Sequence, residues 1–164
     1  MAFCFVTQIV FESRAASAGP KKEWRRVEET VISGGETSTR VTVVGNSVLV
    51  PVTVEHQGNQ ADIQLLLDTG SAGTVINTEI ADRLGLNLRS ARKIQLQVVG
   101  GQVVEAHVAT LNSLTVGPHT KSNARIAVIQ HAGPPVKYDG LLGMDVLSGL
   151  RYRVDLDKQL ILWD

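Results

Sequence analysis

Leu65-Leu66-Leu67-Asp68-Thr69-Gly70-Ser71 carries three consecutive leucines into an aspartate and a Thr-Gly-Ser turn. A short apolar run closed by turn residues reads as the end of a buried strand. A carboxylate in that place is costly, because removing its charge from water is unfavourable without compensating donors. Asp68 therefore either caps a glycine turn by accepting nearby backbone N–H groups or is held at the strand end for chemistry. The heptapeptide alone does not choose between these readings.

Upstream, Arg40 to Val44 and Val48 to Val54 are β-type runs separated by a Gly45-Asn46-Ser47 turn. Val48, Val50, Val52 and Val54 fall on one face of the second run. Pro51 has no N–H for a ladder, which requires an edge or bulge position. A second turn, His56-Gln57-Gly58-Asn59, leads into Ala61 to Leu67. Strands and turns at this short spacing indicate antiparallel hairpins.

Downstream, Thr74-Val75-Ile76 is brief and apolar, and Asn77 is placed to cap a short helix reaching Leu84, with Gly85 ending it. Ile94, Leu96 and Val98 alternate with Lys93, Gln95 and Gln97, and Val104, Ala106 and Val108 alternate beyond Gly100-Gly101. That is a hairpin with a glycine tip, either an ordinary turn or a mobile flap. A strand at 111–117, a Gly117-Pro118 turn and a strand at 124–129 follow, then a rigid Gly133-Pro134-Pro135 loop. Asp139-Gly140 turns into Leu141-Leu142-Gly143, a short helix at 144–148 and a closing hairpin around Asp157-Lys158.

The 164 residues suffice for one domain with a sizeable core. Lys plus Arg and Asp plus Glu are 16 each, so no basic face marks the chain for nucleic acid. Apolar residues reach 43% with aromatics at only 4%, which leaves the core to Val, Leu and Ile. The single cysteine, Cys4, has no intramolecular disulfide partner. His56, His107, His119 and His131 lack metal-ligand spacing, so no metal and no cofactor are expected.

Several of these pieces together resemble the aspartic proteases. Leu66 to Ser71 looks like their active-site motif, and Leu141-Leu142-Gly143 resembles their second marker. The glycine-tipped hairpin lies between the two, where the family places its flap. With one Asp-Thr-Gly in a short chain, the resemblance is to the single-lobe, retropepsin-like enzymes of the bacterial type, over roughly residues 38–163. It implies an all-β, closed-barrel acid protease fold with one or two short helices, acting as a homodimer. The viral members carry an acidic residue four positions after the catalytic Asp and an Arg after the marker glycine. Here those positions are Ala72 and Met144, both halves of the ion pair being absent together. An apolar contact is expected in its place.

Peptide hydrolysis by this route needs two carboxylates on one water, one as base and one as acid. One chain offers only Asp68, because Asp139, Asp145, Asp155 and Asp157 lack the Thr-Gly context. A two-fold homodimer supplies the second. The resemblance further implies that Thr69 bonds across the dimer and that Gly70 lets the substrate backbone approach. It places Ser71 in a hydrogen bond near the carboxylate, and Val99, Gly100 and Gly101 at a flap over an extended peptide or protein substrate. Ile76, Val98, Val99 and Val103 are candidate subsite walls or core. A non-catalytic dimerisation or peptide-binding module is the alternative reading.

The domain is expected at 37–164, with 1–36 as a leader. Ala2 to Phe11 is apolar but too short to span a bilayer. Ala16-Ser17-Ala18 resembles a cleavage site. If the leader is a signal or anchor, the protein is periplasmic or membrane-associated through that segment alone; otherwise it is cytoplasmic.

Overall fold

Valine-rich strands close on themselves here. The computed structural model describes residues 29–31, 37–98, 101–131 and 135–164. The leader expected at 1–36 lies outside the described residues except for Glu29–Val31, and so do Val99, Gly100 and the Gly133-Pro134 part of the rigid loop.

Two sheets are present among the described residues. The larger contains β3 (Thr42–Val44), β4 (Ser47–His56), β5 (Asn59–Leu67), β6 (Val75–Asn77), β7 (Arg92–Gln97), β8 (Val103–Val116), β9 (His119–Ile129) and β10 (Gly140–Leu142). Its strand order is β3-β4-β5-β10-β6-β9-β8-β7, and β4 also pairs with β8, which closes a barrel. Closure through β4 and β8 leaves only β3 and β7 as end strands of this sheet among the described residues. The smaller sheet has the order β1-β2-β12-β11, built from β1 (Glu29–Val31), β2 (Thr37–Arg40), β11 (Tyr152–Asp155) and β12 (Leu160–Trp163). The described residues also form two short helices, α1 (Thr78–Arg83) and α2 (Met144–Leu147). None of the described helices is long and apolar enough to cross a membrane.

Inside the barrel Val50, Val52 and Val54 are fully buried with Leu65, Ile76, Leu111, Leu114, Val128 and Leu142. The core is aliphatic, as the scarcity of aromatics requires. Pro51 sits within β4 but avoids the ladder problem. It faces Gln64 on β5, whose backbone N–H and C=O are both turned to Asp139. On its other side β3 pairs only as far as Leu49 and β8 begins at Val52, so Pro51 falls in the gap between them. The edge position demanded by a missing N–H exists, locally, inside a closed sheet.

The run Arg40 to Val44 is not one strand. It breaks at Val41, which is buried and donates its N–H to Gln159 O at 2.9 Å. Residues before the break join the small sheet, and those after it join the barrel. Trp163 ties the sheets together: its Nε1 donates to Thr39 Oγ1 at 2.8 Å and its ring meets His119 edge-on. Downstream, β8 runs unbroken through both expected segments. The Gly117-Pro118 turn is a two-residue hairpin, so β9 begins at His119 rather than Ala124. Helix α1 starts as expected, with Asn77 Oδ1 accepting Ile80 N–H at 2.9 Å.

The structure depends on an absent side chain at Gly140. Strand β10 is wedged between β5, to which it is parallel, and β6, to which it is antiparallel. A Cβ on Gly140 would lie 1.9 Å from Val75 O, which is backbone and cannot yield. Gly140→Ala is expected to cost about 3 kcal/mol or more of folding stability, at the upper end for overpacked sites. Urea denaturation of the purified variant measures this, with an unchanged midpoint as the contrary result.

Candidate active site

Asp68 stands where two parallel strands end side by side. Leu65, Leu66 and Leu67 of β5 are in register with Gly140, Leu141 and Leu142 of β10. The ladder runs one step further, since Asp68 N–H donates to Leu142 O at 3.1 Å. The apolar triplets supply the burial that pins the strand ends, and the chain then turns out of the sheet. Gly70 N–H donates to Asp68 Oδ1 at 2.9 Å and Ser71 N–H to Asp68 O at 3.2 Å. Asp68 is half-buried while Thr69 and Gly70 are exposed on the single chain. The carboxylate is thus fixed through one oxygen by a backbone donor. A Cβ on Gly70 would come within 3.2 Å of that same oxygen, so the residue type protects the geometry of the carboxylate.

The loop is anchored from behind by contacts that the sequence reading did not find. Thr74 Oγ1 accepts Gly143 N–H at 3.2 Å and donates to Asp145 Oδ1 at 2.7 Å. Met144 N–H donates to Ser71 O at 2.8 Å. Lys121 Nζ donates to the backbone carbonyl of Asp145. These bonds join the Asp68 loop, the Leu-Leu-Gly marker and α2 into one unit. The helix N-terminus has no side-chain cap of its own; the loop supplies its acceptor instead.

At the positions of the absent ion pair, Ala72 and Met144 are both exposed on the single chain. Hydrogen bonds from Met144 N–H and through Thr74 join the two segments instead. Ser71 also departs from expectation. Its hydroxyl donates to Gly73 O at 2.8 Å, bracing the loop, and the donor to the carboxylate is Gly70 N–H. Asp139 is buried and structural. Its N–H and C=O bridge Gln64 and Asn77, and its Oδ2 accepts Gln64 N–H at 2.9 Å. Asp145 serves Thr74, and Asp155 lies in the closing hairpin, where it accepts Lys158 N–H at 2.9 Å.

The β7–β8 hairpin is paired up to Gln97 and Val103, and its tip is closed by Gly101 N–H to Val98 O at 3.0 Å. Gly101 has φ +83, a conformation that glycine adopts without steric cost. Val98 and Val103 are exposed, whereas Ile76 is fully buried and belongs to the core. Lys93 and Glu105 pair across the hairpin at 2.8 Å. The hydrogen bond from Lys93 holds the Glu105 carboxyl below its ordinary range. Both groups are exposed, so this pair adds little to stability. Among the described residues no group of three or more His, Cys, Asp or Glu is placed to share a metal ion.

With this geometry in place, residues 50–146 match a family model described as aspartyl protease. Among curated proteins no match is found. A retropepsin-like aspartic protease from Rickettsia conorii superposes with a TM-score of 0.58 at 21% identity, over 85% of this chain and 96% of that one. The retroviral protease-like domain of Ddi1 from Leishmania major gives 0.49 at 21% identity, over 72% and 88%. The EIAV protease, solved with an inhibitor, gives 0.46 at 24% identity, over 66% and 91%. The first of these establishes the fold as retropepsin-like, all-β with short helices.

Thr74→Val keeps the shape of the side chain and removes both of its hydrogen bonds. Gly143 N–H is then buried without a partner, a loss of about 1–3 kcal/mol. Thermal or chemical denaturation should report a loss in that range, and stability equal to the parent would show that the hydroxyl does not hold the loop.

Proposed function

The chain belongs to the aspartyl protease family, and from that premise we propose that it is an aspartic endopeptidase whose active unit is a homodimer. The observation that carries this reading is the state of Asp68: positioned by two parallel strands, fixed by Gly70 N–H, and displayed beside exposed Thr69 and Gly70. A turn cap has no need of so many constraints. A two-fold partner brings a second Asp68 against the first and covers the exposed loop.

In that pair, two carboxylates at close range do not both ionise readily. One stays charged and takes a proton from a shared water. The other, protonated, donates to the carbonyl oxygen of the scissile bond. The water oxygen adds to the carbonyl carbon; the C–N bond then breaks as the nitrogen gains the proton taken from the water, and a hydroxyl of the tetrahedral intermediate returns a proton to the other carboxylate. Separated titration of the two carboxyls is the established behaviour of aspartic protease dyads. The β7–β8 hairpin, with exposed Val98 and Val103 near its tip, is the element suited to cover an extended peptide. In this reading Thr69 bonds across the two-fold axis. The domain is residues 37–164, extended by β1.

Asp68→Asn should reduce peptide cleavage by roughly 10²-fold or more, the scale of general acid–base contributions. The variant should keep the circular dichroism and sedimentation behaviour of the parent. Cleavage at the parental rate would exclude the proposed dyad; peptide binding without turnover by the parent chain would favour a binding module instead.

A further inference from the structure

Between the β8–β9 hairpin and helix α2 lies a half-open groove of about 510 Å³. That volume is in the range of small-molecule sites. Leu114 and Val116 of β8 and Val146 of α2 form its buried floor, and half-buried Leu150 flanks them. The floor is wholly aliphatic.

One charged side chain is carried onto this floor by the strand register. Lys121 of β9 stands opposite Leu114, and His119 stands opposite Val116. Residues directly opposite in an antiparallel pair share a face. Lys121 therefore lies on the same face as two buried apolar residues and is itself half-buried. A lysine in such a place lays its stem along apolar surface and sends its amine to a polar partner. Here Nζ donates to the backbone carbonyl of Asp145. Among the described residues that is its only bond, and no carboxylate pairs with it. The Asp145 carboxylate is engaged elsewhere, its Oδ1 accepting Thr74 Oγ1–H at 2.7 Å.

A half-buried ammonium held by one neutral carbonyl is poorly compensated for its loss of water. It has three donors, so acceptor positions remain open. An anion is the partner that matches both its charge and its donors. The rest of the groove says what carries that anion. On the α2 side the N–H groups of Ser148, Gly149 and Leu150 are already bonded to Met144 O, Val146 O and Leu147 O. The hydroxyls of Thr115 and Thr120 bond to each other. A ligand body rich in amides finds no free N–H on that wall, whereas an aliphatic chain finds the apolar floor.

We propose that this groove binds an aliphatic carboxylate of medium chain length, its head on Lys121 Nζ and its chain over Leu114, Val116, Val146 and Leu150. The site is distinct from the Asp68 carboxylate and lies behind it. Helix α2, which forms one wall, is bonded to the Asp68 loop through Met144 N–H and Asp145 Oδ1. Nothing in the groove uses Asp68, so the assignment stands or falls independently of the protease reading.

Isothermal titration calorimetry on the full chain tests head and tail separately. The parent should bind octanoate, and each methylene from butanoate to octanoate should tighten binding by about two- to fourfold. Octanol should bind roughly tenfold or more weakly than octanoate, because it lacks the charge that Lys121 needs. Lys121→Met should lose a similar factor for octanoate while its affinity for octanol stays that of the parent. Lys121→Arg should keep the preference for the acid. Shifts in amide proton–nitrogen NMR spectra should centre on residues 114–121 and 145–150. The octanol comparison uses the parent chain, so it decides the matter even where a variant fails to fold. A parent that binds no octanoate, or binds octanol equally well, overturns the site. So does Lys121→Met binding octanoate like the parent, or a set of shifts centred elsewhere.

Discussion

The parallel pairing of Leu65–Leu67 with Gly140–Leu142 is the constraint on which the site depends. It joins segments far apart in sequence, so loop closure must be met before the contact contributes. What makes it favourable is burial: Leu65 and Leu142 are wholly inaccessible, and Ile76 across β10 is too. What makes it possible is the absence of a side chain at Gly140, where Val75 O occupies the space of a Cβ. Once the pair forms, the strand ends are fixed and Asp68 has no freedom along the chain. The position of the Asp68 carboxylate is set by the packing of apolar groups behind it.

Hydrogen bonding finishes what burial begins. The Asp68 loop leaves the sheet and would be free to move if only its base were pinned. Thr74, Asp145 and Met144 N–H hold its far side to α2. Each of these bonds is modest alone, because folding exchanges bonds to water for bonds within the protein. Their weight comes from burial. Gly143 N–H has no route to solvent, so the bond that satisfies it is costly to lose.

Much of this was legible in the sequence, for an identifiable reason. Asp68-Thr69-Gly70, the glycine tip and Leu141-Leu142-Gly143 are restricted by chemistry or by close approach, and restricted positions leave marks in a single sequence. The valine alternation of β4 and the Asn77 cap are equally local. Contacts made by ordinary residues at long range leave no such mark. Thr74 and Asp145 are separated by 71 positions, and neither carries a local pattern that names the other. The break at Val41 is invisible for a related reason: Arg40 to Val44 has strand propensity throughout, and only the choice between two sheets divides it. Asp139 read as a turn residue, yet it bridges β5 and β6 through its backbone. Its side chain also accepts the N–H of Gln64, whose backbone groups are turned to Asp139 and not to Pro51.

The division between stability and chemistry follows from the topology. The barrel closes through β4 and β8 and buries its core within one chain, so a single copy has what folding requires. The carboxylate site has no such closure. Asp68, Thr69 and Gly70 lie at a surface, and no second Asp-Thr-Gly exists in the chain to face them. Folding and assembly are therefore separate equilibria in the proposed enzyme, and the active fraction follows chain concentration by mass action.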